Sequence, residues 1–193
     1  MVKIRIQPGF WLTLSLVILI LPLPWVCALA ISCTVHELSH LVALRLSGVR
    51  VRSMVLRAGG AVLETVEMTP IQEMLSAVAG PFGPLLLLCF IRWMPRTALC
   101  SLVQGVYHLL PVRPLDGGRA LESLTAYMGW DSKLCTAAEW LTLPAVLYFG
   151  ISLSLLGLGL LPLILCVTVI LRVFHEKYLA NRSGSEYNRC TNP

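Results

Sequence analysis

The sequence predicts an all-α polytopic membrane protein of about six transmembrane helices with a small membrane-associated β-hairpin. Three observations carry that fold class. Of 193 residues, 56% are hydrophobic and 13% charged, with a mean hydropathy of +0.77, whereas soluble domains carry about a quarter charged residues. The apolar residues gather into runs near the length a helix needs to cross a bilayer, about 20 residues. Between two such runs, Val49 to Glu67 alternates loosely around Gly59-Gly60, the pattern of two short strands joined by a tight turn.

Element by element, the first run spans Phe10 to Leu23, short for a crossing, and is expected to borrow Ile4 and Ile6 or to tilt beside a partner. After Pro22 and Pro24, Trp25 to Leu46 is a full crossing that stops at Gly48 among Arg45, Arg50 and Arg52. The hairpin follows. Ile71 to Trp93 is a third span interrupted by Gly80-Pro81 and Gly83-Pro84, and Thr97 to Leu110 a fourth, which must open at Pro111. Arg119 to Met128 reads as a short surface helix. Trp140 to Leu171 carries no charge, is too long for one crossing, and divides at Gly157-Leu158-Gly159 into two. Residues of about 1–180 form one domain with a catalytic core at about 25–125, and the polar stretch 181–193 reads as a disordered tail.

Six crossings place both termini on one side. Lys3 and Arg5, Arg45 to Arg57, Arg113 to Lys133 and the residues from Arg172 onward then share the cytoplasmic face, Arg92 and Arg96 being the exceptions. The net charge of +5 is explained by this anchoring. It forms no basic stripe, so a nucleic-acid partner is excluded. The seven cysteines show no CxxC or zinc-ribbon spacing and read as small apolar fillers. Ala28-Leu29-Ala30 has the form of a signal-peptidase site but lies within a continuing apolar run, so removal there is not expected.

The second span contains His36-Glu37-Leu38-Ser39-His40. On a helix, residues four apart share a face about 6 Å apart, so both imidazoles reach one metal while Glu37 is rotated beside it toward a bound water. Each ionisable group at mid-membrane costs roughly 2.5–3.5 kcal/mol on insertion scales, and a dication is the most effective compensation for three of them. A catalytic zinc keeps three protein ligands and one open position. Asp116 is the natural third ligand. It sits in Pro114-Leu115-Asp116-Gly117-Gly118 just past the fourth span, which the topology brings to the depth of His40; Asp131, beyond the surface helix, is poorer. The bland alternative for Asp116 is a helix N-cap.

These residues resemble the site-2 proteases, zinc metalloproteases that cut substrates in or near the membrane. The resemblance rests on His36-Glu37-Leu38-Ser39-His40, on Ala79-Gly80-Pro81-Phe82-Gly83-Pro84 and on Leu109 to Arg119, Leu-Leu-Pro-Val-Arg-Pro-Leu-Asp-Gly-Gly-Arg, in the family's order. It implies one zinc per chain held by His36, His40 and Asp116, with Glu37 as base. The small six-span form is similar to the spore-formation branch, which implies as substrate class a membrane-tethered precursor sigma factor. His108 stands where the family usually has Asn and is expected to contact substrate by a hydrogen bond. The hairpin at Gly59 and Gly60 is expected to hold an extended substrate by strand addition.

The function expected is a zinc-dependent endopeptidase acting on membrane-tethered or transmembrane proteins. The other partners expected are the lipid bilayer and, with no motif that specifies it, a regulatory membrane protein. A catalytically silent metal-binding assembly or chaperone protein is the alternative, and the intact Glu37 speaks against it, since a structural zinc site has no use for a base.

Overall fold

A computed structural model of the chain describes residues 3–58, 60–158, 163–164, 166–171, 173–174 and 178. Gly59, Gly159, His175 and the tail 181–193 lie outside these residues. The chain runs β1 (Lys3–Ile6), α1 (Pro8–Ile20), α2 (Leu23–Leu46), β2 (Val51–Arg57), β3 (Gly60–Thr65), α3 (Pro70–Leu86), α4 (Pro95–Leu109), α5 (Asp116–Met128) and α6 (Lys133–Leu153). The largely helical fold with a small sheet agrees with the sequence reading.

Each helix starts where its sequence supplies a reason. Prolines occupy the first turn of α1, α2, α3 and α4, where the missing N–H costs nothing. α3 adds a capping box, in which Thr69 accepts from the Gln72 N–H while the Gln72 side chain takes the Thr69 N–H. α5 ends at Gly129, whose φ of 67° is the left-handed stop that favours glycine.

Among the described residues, three helical segments are long and apolar enough to cross a membrane: Leu23–Leu46, Pro70–Phe90 and Lys133–Leu156. α1, at 13 residues, spans only about 20 Å at 1.5 Å per residue. It has no buried residue. Leu12, Leu19 and Trp11 lie open on its surface, the exterior of a helix solvated by lipid rather than water.

Two elements differ from the sequence reading. Ile4 and Ile6 do not extend the first span; they lie in β1, which pairs in parallel with β2, Ile4 opposite Met54 and Ile6 opposite Leu56. The hairpin is therefore part of a three-stranded sheet of order β1-β2-β3. The cause is the alternation Lys3-Ile4-Arg5-Ile6, a period of two that suits a strand. In addition, the fifth apolar segment begins at Lys133 rather than Trp140. Nothing between Ser132 and Trp140 breaks a helix, and Glu139 is tucked in rather than left at a membrane boundary.

The layers place the Leu109 to Asp116 stretch at the centre. α2 packs against α3 and α4, and α3 against α5. Val112 is fully buried with Val169 and Val173, and Tyr107, Leu110 and Leu143 close around them.

Candidate metal centre

α2 buries one stripe at four-residue spacing, Ala28, Ser32, His36, His40 and Leu44. Both imidazoles therefore face the interior between α2, α3 and α4. Close approach of α3 is made possible by Gly80: a Cβ there would stand 2.2 Å from His40 Nε2. The Gly-Pro segment that interrupts the third span thus seats a histidine ring. On the same helix the Ser76 carbonyl accepts from His40 Nδ1 at 2.8 Å. That bond puts the proton on Nδ1 and leaves the Nε2 lone pair pointing inward.

Asp116 arrives from the other side as the first residue of α5, preceded by an extended Leu115. The N-cap reading fails, since Leu115 takes that position and no side chain caps the helix. A Cβ at Gly117 would fall 2.2 Å from the Leu109 carbonyl oxygen, so the tight return from α4 into α5 requires glycine there. The carboxylate is buried, and its Oδ2 lies 3.2 Å from His36 Nε2 and 3.5 Å from His40 Nε2. The two Nε2 atoms are 3.2 Å apart.

These three separations are a chemical fit to a metal. Ligands at about 2.0–2.1 Å in a tetrahedron lie about 3.3–3.4 Å apart. Three lone pairs aimed at one point in a low-dielectric interior repel unless a cation sits among them. His36, His40 and Asp116 form the one group of three such residues, among those described, able to hold a metal ion. Burial opposes ionisation of Asp116, yet the hydrogen bond from His108 and the imidazoles of His36 and His40 beside it outweigh burial and hold the carboxyl below the usual carboxylate range.

Glu37, one position round the helix from His36, is half-buried and hydrogen-bonded to the backbone of Ala61 on β3. The hairpin therefore lies beside the candidate base. Gly60 opens β3 opposite Arg57 with φ 126°; Gly59, expected with it to hold substrate, is outside the described residues. His108, expected to contact substrate, is half-buried at the centre: its Nδ1 lies 2.8 Å from Asp116 Oδ2, and its ring centroid 4.3 Å from that of His36. Asp131 is exposed and pairs with Lys133 at 3.5 Å, away from the centre.

Sequence reasoning missed a polar column one turn from the histidines. Ser101 donates to Ser32 (3.1 Å), and Ser32 donates to Gln104 Oε1 (2.6 Å), both serines being fully buried. Ser32 precedes His36, and Gln104 precedes His108, by four residues, so polar side chains at helical spacing inside spans were the available signal. Arg119, which reaches toward Asp116 Oδ1 at 4.0 Å and Glu73 at 3.4 Å, was visible only as the end of a motif.

No family model matches the chain, and no curated protein matches it in sequence. In fold, however, the chain is of the site-2 protease kind. The solved structure of a site-2 protease from Methanocaldococcus jannaschii covers 89% of this chain, with 87% of its own length matched, at a TM-score of 0.56 and 22% identity. Identity that low establishes likeness of fold, and the chemistry rests on the residues described above.

Proposed function

We propose that this protein is a zinc-dependent intramembrane endopeptidase that cleaves membrane-tethered or transmembrane proteins. The observation that carries the reading is the convergence of His36 Nε2, His40 Nε2 and Asp116 Oδ2 beside Glu37. Those three atoms would hold one zinc, a donor set of two imidazoles and a carboxylate that zinc favours and that leaves a position for water. Zinc there would supply Lewis acidity, making a water nucleophilic near neutral pH and polarising the scissile carbonyl. Glu37 takes the proton of the attacking water and returns it to the leaving amine.

The substrate must be extended where it is cut, because a helix hides its carbonyls in internal hydrogen bonds. β3 offers an edge for it, with Gly60 at its start and Ala61 next to Glu37. Six crossings with cytoplasmic termini agree with the distribution of Arg and Lys. A membrane-tethered precursor sigma factor is the particular substrate that the motif resemblance implies.

The test is cleavage of a tethered reporter in proteoliposomes by the wild type and by Glu37→Gln, with and without a zinc chelator. Loss of cleavage in the variant by at least about 10²-fold, and by chelation, is expected from removal of a general base. Equal cleavage by both proteins would overturn the assignment of Glu37. No cleavage by either, with zinc retained, would favour the silent metal-binding reading.

A further inference from the structure

The geometry points to His108 as the positioning residue that fixes which oxygen of Asp116 is offered to the metal, acting through a single N–H at Nδ1; this rests on the metal-centre reading above. Asp116 has two oxygens and a free torsion, and a ligand carboxylate must present one of them in a defined direction. Oδ2 is the oxygen that faces both His36 and His40. The same Oδ2 receives the only hydrogen bond shorter than 3 Å on that carboxylate among the described residues, from His108 Nδ1 at 2.8 Å. On the far side, Oδ1 is approached by Arg119 at 4.0 Å. The carboxylate is thus held at both ends, tightly by His108 and loosely by Arg119.

His108 stands outside the set of three residues whose donor atoms lie within 4.8 Å of one another. Asp116 is a pure acceptor when ionised, so Nδ1 is the donor in this bond. The arrangement is that of an outer partner that orients a ligand.

This also accounts for the residue type. In histidine, Nδ1 is attached to Cγ, two bonds from Cβ; the amide nitrogen of asparagine occupies the same place. His108 therefore keeps, at the position where the resembled motif carries Asn, a donor in the same location relative to the backbone. Its ring adds a second contact, tilted 57° against His36. Donor and ring can be separated by substitution, because Asn keeps the first and Phe the second.

Zinc dissociation constants of full-length detergent-purified wild type, His108→Asn, His108→Phe and His108→Gln, measured by competition with a colorimetric chelator, test the proposal. Loss of an outer partner typically weakens metal binding 10–100-fold. His108→Phe and His108→Gln are expected to weaken zinc by that factor, while His108→Asn stays within about threefold of wild type. Zinc bound by His108→Phe as tightly as by wild type would overturn the proposal, as would an Asn variant as weak as the Phe variant. A wild type that binds no zinc would remove the metal-centre reading and this inference with it, an outcome distinct from either of the others.

Discussion

The bundle of α2 to α5 and the flanking helices α1 and α6 are built from similar apolar residues yet differ in kind. α1 buries none of its thirteen residues, and the apolar window of α6 is almost as open. α2, α3, α4 and α5 each bury four or five residues, and most of these are small or polar: Ser32, Ser76, Ala77, Gly80, Ser101 and Gly105 among them. The difference teaches that this membrane protein does not sort residues by hydrophobicity, since lipid is as apolar as leucine. It sorts them by size and hydrogen bonding, with small side chains where backbones approach and polar ones where a partner waits.

That contrast can be broken at graded cost. Asp116→Ala removes a proposed ligand and should weaken zinc by more than the roughly 100-fold upper range of an outer partner, read by chelator competition. Gly80→Ala introduces a Cβ 2.2 Å from His40 Nε2. Overpacking of this kind costs about 1–3 kcal/mol and must displace a metal-facing ring, so thermal stability and zinc retention should fall together. Ser32→Ala strips Gln104 and Ser101 of a buried partner and should cost about 1–3 kcal/mol without removing zinc. Leu12→Ala on α1, where the side chain is 75% exposed, should shift stability by less than about 0.5 kcal/mol. A Leu12→Ala loss as large as that of Gly80→Ala would erase the distinction between the two regions.

A finer comparison lies within β3. Ala61 turns its backbone toward Glu37, and strand residues two apart point the same way, so Leu63 is its partner on the open edge while Val62 faces β2. Proline at 63 should raise the substrate KM of a tethered reporter with little loss of stability. Proline at 62 should break the ladder and lower stability first.

Much of this was legible from residue chemistry alone. His36, Glu37 and His40 announce themselves because three ionisable groups in an apolar run need a common partner, and Asp116 follows from glycines that let α5 return beneath α4. β1 was not legible as a strand, because four residues ahead of an apolar run can be read as its extension. Its partner strand lies far along the chain, at Ser53 to Leu56. The His108–Asp116 bond was out of reach for another reason. Their separation of eight residues crosses a helix end and two prolines, and no periodicity predicts which atoms meet after such a return. The buried serines hid because single polar residues in a span look like tolerated neutral positions until two helices bring them together.

The parallel pairing of β1 with β2 has a mechanical side. Lys3–Ile6 is bonded to one margin of the strand whose other margin carries β3, and the Gln7 N–H continues the ladder onto the Leu56 carbonyl at 2.9 Å. Two rows of hydrogen bonds thereby link the residues ahead of Pro8 to Ala61. The first strand of the chain is thus joined, through the central strand, to the residue that bonds the proposed base.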